Sequence, residues 1–428
     1  MRDELLGKPH KDEDFVVPGV GYDELRAALA PHGRVEDLEV AGQRVGLRLY
    51  PRDREVRVLA PAGIEFAPPR TERSTGPGRH DFEIVASAAV PLEDDMRRRD
   101  FTINAMAKRL ATGELLDPFG GSRDLEGRVL RTVSPESFRE DPLRLVRGLR
   151  FISELDLDPD DETLRQMREE APGIRLVSAE RIGGGLAADG LGELSRLLLG
   201  AHPAKALRIA RDTDVLVELL PEYAPAIGFE PGDGAQTVTL DEHLFLVVQA
   251  AADAGAPLTV RLAALLHDLG KPEAPGFAEH ADAGARIASR ILRRLRYPTL
   301  LQRHVTRLVG AHAFDVEASA VNARRFLARH GDDLALDLAE HRLADLRAKD
   351  VPPEWLDAAE TFQRLLEQER RSPHRLADLA IDGGDLIANG FTEGPDLGRV
   401  LAALLERVVD EPSLNTREQL LQVAEELR

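Results

Sequence analysis

Lys11-Asp12-Glu13-Asp14-Phe15-Val16-Val17 sets two aspartates at i and i+2 ahead of an apolar run. Strand residues two apart point to one face, so Asp12 and Asp14 converge where the chain is extended. Carboxylates that close suit hard divalent cations bridging phosphates. Taken alone, the pattern describes a turn with solvated carboxylates equally well. Outward from it, β-rich runs at 15–17, 45–49 and 56–59 alternate with helical stretches such as Tyr22–Leu29, up to about residue 125. That alternation predicts an α/β head. From about 135 the strand signal fades. Residues 142–155, 161–170, 179–188 and 191–199 carry the i, i+3, i+4 apolar spacing of helices. Turn-rich breaks at 228–234 and at Val351-Pro352-Pro353 mark candidate boundaries.

A chain of 428 residues exceeds one compact core and implies two to four domains. It has no run of 18 apolar residues and no signal-peptide pattern at Met1-Arg2-Asp3-Glu4. Together with the lack of cysteine, this predicts a cytoplasmic protein without disulfides or thiolate metal sites. Any metal must then sit on His, Asp and Glu. The net charge of −19 opposes polyanion binding on average, but local basic tracks stand out against it. They are Arg97-Arg98-Arg99, then Arg139, Arg144, Arg147 and Arg150, then Arg286, Arg290, Arg293, Arg294, Arg296 and Arg303. Each reads as a nucleic-acid track or as a solvated helix face.

Five motifs occur in order. They are Arg2-Asp3-x-Leu5-Leu6-Gly7, Asp12-x-Asp14, Arg98-Arg99-Asp100-Phe101-Thr102-Ile103-Asn104-Ala105, Asp117-x-x-Gly120-Gly121-x-x-Asp124-Leu125, and Glu140-Asp141-x-x-Arg144-x-x-Arg147-x-x-Arg150-Phe151. This succession resembles the class II tRNA nucleotidyltransferases, the family of CCA-adding enzymes and bacterial poly(A) polymerases. The resemblance implies an α+β chain: a polymerase-β-like nucleotidyltransferase head at 1–125, then an all-helical neck and body at 126–227. It assigns Asp12 and Asp14 to catalysis and to Mg2+. It places Arg2, Arg98, Arg99, Asp100 and Asn104 at the nucleotide, and residues 117–124 in a flexible head–neck connection. Asp141 and Arg144 fall in the base-reading motif. As i, i+3 residues at a helix start they are expected on one face, offering acceptors and a donor fork to a base edge; an ordinary surface ion pair is the alternative. Arg147 and Arg150 extend that face toward the triphosphate. Glu65 completes the metal site or serves the fold.

One departure stands out. The family motif opens with Gly-Gly-x-Val, whereas this chain starts at Met1-Arg2-Asp3. A missing strand and glycine cradle beside the carboxylates predicts that Met1 is a misassigned start and that the native protein continues upstream.

Further along, Leu265-Leu266-His267-Asp268-Leu269-Gly270-Lys271 follows His243 and precedes His280, His312 and Asp345. This order resembles the HD phosphohydrolase superfamily over 228–350, with Gly270 capping the helix. It implies one divalent metal (Ni, Mn or Co) on His243, His267, Asp268 and Asp345, with phosphoester hydrolysis as its chemistry. The alternative is a degenerate helical scaffold contacting RNA. His304 and His341 read as surface residues. Residues 351–428 resemble the helical tail of the same family, which grips tRNA. The partners implied are tRNA, CTP and ATP, with no membrane and the oligomeric state open. CCA addition leads. The alternatives are poly(A) synthesis, partial CC- or A-addition, and a phosphohydrolase with a vestigial head.

Overall fold

The hairpin of β2 (Gly33–Val40) and β3 (Gln43–Pro51) nucleates the head sheet. The computed structural model describes residues 1–8, 14–40, 42–74, 82–86, 88–184, 190–231, 237–274 and 277–427, so Asp12 lies outside the described residues. Strand β4 (Ile64–Ala67) joins β3 antiparallel, and β1 (Asp14–Val16) lies parallel to β4 at the sheet edge, giving the order β1-β4-β3-β2. Leu47 and Leu49 alternate along β3 with the outward Arg48 and meet Leu25 and Leu29 of the Tyr22–Leu29 helix. Phe15 and Phe66 stack at 5.1 Å between ring centroids, pinning β1 to β4.

The expected strand at 56–59 is instead a helix, Arg54–Leu59. Asp53 caps it by accepting hydrogen bonds from Glu55 N (2.8 Å) and Val56 N (3.1 Å). Val58 and Leu59 are left 73% and 83% exposed. A short apolar run thus yields to a strong cap.

The contacts divide the chain into two units, Met1–Pro221 and Glu222–Arg428. In the first, the Leu143–Leu155 helix buries Leu145, Val146, Leu149 and Ile152, while Phe101 meets Phe138 and Phe151 edge-on. Residues 117–124, expected to be a flexible connection, form a capped helix start. Asp117 accepts from Gly121 N (2.6 Å) and Ser122 N (2.9 Å), and the buried Asp124 accepts from Thr102 Oγ1 (2.7 Å). The predicted helix at 179–188 is cut to Ala179–Ile182, and 185–189 lie outside the described residues.

The second unit has no strand among its described residues. Helices Leu240–Asp253, Leu258–Leu266, Phe277–Arg294, Thr299–Ala311 and Asp332–Arg347 form its core, and among the described residues no helix of the chain is long and apolar enough to cross a membrane. Arg324 donates to Val409 O (2.6 Å) and Asp410 O (3.2 Å) and so ties down the C-terminal helices.

Two glycines separate close approach from mere flexibility. A Cβ on Gly121 would lie 2.0 Å from Thr102 O, whereas one on Gly398, inside the Pro395–Asp410 helix, meets nothing within 4 Å. Gly121→Ala is expected to lower unfolding stability by about 1–3 kcal/mol. Gly398→Ala is expected to raise it by about 0.5–1 kcal/mol. Urea unfolding of the two variants checks both signs.

Candidate functional site

In the first unit the motif side chains form one network around Asp100, which is 7% exposed. Its Oδ2 accepts from Arg147 Nε (3.0 Å) and Nη2 (2.9 Å), and its Oδ1 from Phe101 N and Asn104 Nδ2 (both 2.9 Å). Asn104 turns its oxygen to Arg2 Nη1 (2.9 Å), so its amide bridges the first motif to the third. Burial pushes the Asp100 carboxyl up, but the Arg147 charge and these donors outweigh it and hold the group below the usual carboxylate range.

Arg147 also reaches Glu193 Oε1 (3.1 Å), and Arg150 Nε lies 3.2 Å from Glu193 Oε2. Arg150 and Arg2 stack over the Phe151 ring at 4.3 and 4.7 Å. Arg147 and Arg150 are therefore neutralised by carboxylates, and do not form the bare cationic face their spacing suggested. Glu193 was not legible as a site residue. The available signal was a lone carboxylate on the leucine-rich Glu193–Leu199 helix.

Asp141 and Arg144 do not share a helical face. Pro142 disfavours helical backbone at the preceding residue, and Asp141 is extended (φ −143°, ψ 100°) with the helix starting at Leu143. Asp141 takes a fork from Arg181 Nη2 (2.8 Å) and Nη1 (3.3 Å), a partner that sequence spacing could not indicate. Arg144 instead donates to Arg98 O (2.7 Å), to Ser137 O and Oγ (3.1 Å each) and to Glu140. It thereby clamps the third motif to the fifth. Arg98 holds the buried Asp95 (2.9 Å), and Arg99 donates to Asn104 O (3.1 Å).

Asp14 is exposed on β1, in register with Glu65, and acts electrostatically on Arg99. Glu65 is ion-paired with Arg48. Exposed carboxylate oxygens at a sheet edge are donors of the kind magnesium takes.

The second unit buries a histidine–aspartate cluster drawn from five helices or their ends. His243 Nε2 lies 3.1 Å from Asp345 Oδ1, and His267 Nε2 lies 3.2 Å from Asp268 Oδ2. The four predicted ligands are thus brought together. His267 Nδ1 meets Ala264 O at 3.1 Å and His312 Nδ1 meets Val309 O at 2.7 Å. A carbonyl only accepts, so each Nδ1 carries the proton, and each Nε2 of a neutral ring turns a lone pair inward.

His243 Nε2, His267 Nε2 and Asp345 Oδ1 are buried, yet none makes a well-directed hydrogen bond. Buried, closely grouped and without a hydrogen bond, such nitrogen and oxygen atoms suit a cation. Lys271 Nζ lies 2.9 Å from Asp268 Oδ2 and Lys349 Nζ 2.8 Å from Asp345 Oδ1, so each carboxylate also carries a lysine.

Gly270 is no left-handed cap. A Cβ there would meet His280 O at 2.2 Å, and one on Gly284 would meet His267 O at 2.7 Å. This contact draws the Phe277–Arg294 helix onto the His-Asp turn. His341, expected at the surface, is 1% exposed. It precedes Asp345 by one helical turn and so shares its inward face. His304 is half-buried and pairs with Asp337 at 2.8 Å. The third basic track, by contrast, is exposed throughout.

Residues 1–131 match the Poly A polymerase head domain, 156–227 the RNA and SrmB-binding site of polymerase A, and 280–424 the tRNA nucleotidyltransferase domain 2. A Multifunctional CCA protein of Azoarcus sp. is 36% identical over 332 residues, covering 76% of this chain and 74% of the relative. One from Cupriavidus taiwanensis is 38% identical over 312 residues, covering 70% and 69%. The fold is similar to that of the Bacillus stearothermophilus CCA-adding enzyme in complex with CTP (TM-score 0.68, 24% identity, 100% of this chain and 91% of that one). It is also similar to that of the Thermotoga maritima CCA-adding enzyme complexed with tRNA (TM-score 0.60, 22% identity, 100% and 89%).

Removing Glu193 leaves two guanidinium groups without their shared carboxylate. Breaking a buried pair from one side costs about 3–5 kcal/mol, and the one-third exposure of Arg147 moves Glu193→Ala to the low end, about 3 kcal/mol. Glu193→Gln should recover part of this loss, as thermal unfolding of both variants will show.

Proposed function

The chain belongs to the family of CCA-adding tRNA nucleotidyltransferases, and from that premise we propose that it adds C, C and A to tRNA 3′ ends from CTP and ATP without a nucleic-acid template. The carrying observation is the Arg2–Asn104–Asp100–Arg147 chain, which joins three motifs through part-buried hydrogen bonds. Family members with the Multifunctional CCA protein name support the assignment, as do the folds of CCA-adding enzymes complexed with CTP, ATP and tRNA.

In this reading Asp12 and Asp14 would hold Mg2+, which would supply the positive charge that the triphosphate needs. The Asp100 network fixes the nucleotide-facing motif, leaving Arg98 and Arg99 beside the carboxylate strand. Base choice falls to Asp141, oriented by Arg181, together with Arg144 at the helix start. Nucleotide chemistry lies in 1–125 and base recognition in 126–227; residues 228–350 form the HD-like module and 351–428 the tRNA-gripping tail. A cytoplasmic setting agrees with the lack of cysteine.

A second activity rests on a separate observation, the unpartnered inward-facing atoms of His243, His267 and Asp345. Together with Asp268 they would hold a divalent ion, whose chemistry there is phosphoester hydrolysis.

The test is incubation of tRNA lacking its CCA end with CTP and ATP, singly and together. Sequential C, C and A incorporation is expected. A-only, CC-only or repeated A addition would replace the proposal by the corresponding alternative, and no incorporation would sink it. Asp14→Ala should abolish incorporation without altering the circular dichroism spectrum, because the charge it helps neutralise carries much of the barrier reduction. Retention of more than a small fraction of the wild-type rate would refute that role.

Arg144→Ala should weaken discrimination of CTP and ATP from UTP and GTP by about 1–3 kcal/mol, the worth of a bidentate reader. Competition assays with mixed nucleotides measure it. Unchanged selectivity would leave Arg144 as a clamp on Arg98 alone.

A further inference from the structure

Residues 283–314 carry seven arginines, no lysine and no aspartate or glutamate, in a chain whose net charge is −19. They make up most of a hairpin, the Phe277–Arg294 helix joined to the Thr299–Ala311 helix through residues 295–298, and so short a connection leaves two packed helices antiparallel. Apolar side chains face the core, among them the buried Ile287, Ile291, Leu292, Val305 and Leu308. The arginines fill the solvent side. Arg286, Arg290 and Arg293 are exposed at i, i+4 and i+7 on the first helix, and Arg303 and Arg307 at i and i+4 on the second. We infer that this outer face of the hairpin is an RNA-docking surface, a track of guanidinium groups that grips the phosphodiester backbone of tRNA. The inference rests on reading tRNA as the substrate, and it adds a contact surface that belongs neither to the head and body nor to the 351–428 tail.

Three observations separate the track from an ordinary solvated helix face. First, its charge is largely uncompensated. Glu222 holds Arg294 at 2.8 Å, but among the described residues Arg286, Arg290, Arg303 and Arg307 have no ion pair. The motif arginines of the first unit are the opposite case, each standing against a carboxylate. The field reaches a neighbouring ring: burial pushes the half-buried His330 down, and the charges of Arg329 and Arg307 add to this, bringing it to about 4. Second, Arg290, Arg293, Arg294 and Arg296 line one surface depression of ≈ 470 Å3. Arg296 has φ 59°, a left-handed conformation that glycine takes freely, so a charged side chain is kept where the backbone disfavours one. Third, the sole use of arginine suits phosphate, because a guanidinium fork meets two phosphate oxygens at once while an ammonium is a point charge.

Spacing and surroundings select the occupant. Arg286 to Arg293 extend along about 10 Å of helix axis, the reach of two or more phosphates of one strand. Leu300 is the one large apolar side chain exposed among the described residues of the hairpin, too little to anchor in lipid.

The test follows binding of tRNA lacking its CCA end to the full chain by fluorescence anisotropy, without CTP or ATP, between about 50 and 200 mM salt. Arg290→Gln with Arg303→Gln and Arg307→Gln should weaken binding about tenfold at the lower salt and cut the salt slope by about two to three, since each lost phosphate contact removes about 0.9. Arg290→Lys with Arg303→Lys and Arg307→Lys should keep the slope, because counterion release follows charge. In incorporation assays the glutamine variant should raise KM for tRNA by a similar factor, with kcat, KM for CTP and the circular dichroism spectrum unchanged. Equal affinity and slope in the wild-type chain and the glutamine variant overturn the track. So does arginine-dependent binding of poly-glutamate or of phosphatidylserine vesicles at least as tight as that of tRNA, which would make the face a dock for acidic protein or membrane. Should the triple variant not fold, Arg303→Gln alone decides, by a slope lower by about 1 or unchanged. A wild-type chain that binds tRNA through these arginines but incorporates no nucleotide overturns the proposed function and leaves the track standing.

Discussion

The buried carboxylate of Asp100 constrains the first unit more than any other single group. Taking a carboxylate out of water costs several kcal/mol, recovered only through good geometry on both oxygens. Asp100 receives that geometry from Arg147, Asn104 and the Phe101 amide, and each side-chain partner is itself fixed, by Glu193 and by Arg2. Residues from four distant stretches of chain are thereby held in one register. A nucleotide site built there, as proposed, would be organised before its ligand arrives, which is where much of the affinity of a small site comes from.

Asp268 meets the same constraint in the second unit with a different kind of partner. A guanidinium stays charged under all ordinary conditions, so Asp100 is permanently compensated. An imidazole is charged only conditionally, and burial pushes His243 and His312 below their ordinary values. Five histidines and two aspartates crowded from five helices are a poor way to build a core, and their donor atoms are of the kind that hold cations. The glycines that let the Phe277–Arg294 helix approach the His-Asp turn exist for that proximity.

Much of this was legible in the sequence. The ordered motifs carried the head and its family, and the spacing of His243, His267, Asp268 and Asp345 carried the cluster. What escaped was of one kind: choices decided by a partner far along the chain or by one local rule overriding another. Asp53 turned an apolar run into a helix. Pro142 expelled Asp141 from the helix that spacing placed it on. Arg181 and Glu193 became partners of motif residues across gaps that no periodicity records. His341 was misplaced because a lone histidine on a mixed helix reads as surface, although its one-turn offset from Asp345 held the answer. Asp12 lies outside the described residues, so the carboxylate pair that opened the reading is represented by Asp14 alone.

The pairing of the arginines also bears on how an acidic chain handles polyanions. Arg144, Arg147 and Arg150 lie at three-residue intervals along one helix, and taken as bare charges they would make a strongly attractive stripe. Yet Glu140, Asp100, Glu193 and Glu154 stand against them, so the stripe offers directed N–H donors and little net field. Attraction by raw potential is weak under these conditions, in keeping with a net charge of −19. Under the proposed function, selection would then rest on geometry, on which N–H and which carboxylate oxygen meets the base edge. On the same reading, the positive charge that a triphosphate demands would come from divalent cations at the carboxylate strand. Dividing the task in this way favours specificity, because a neutralised arginine fork gains from a correctly shaped acceptor and gains little from an arbitrary anion.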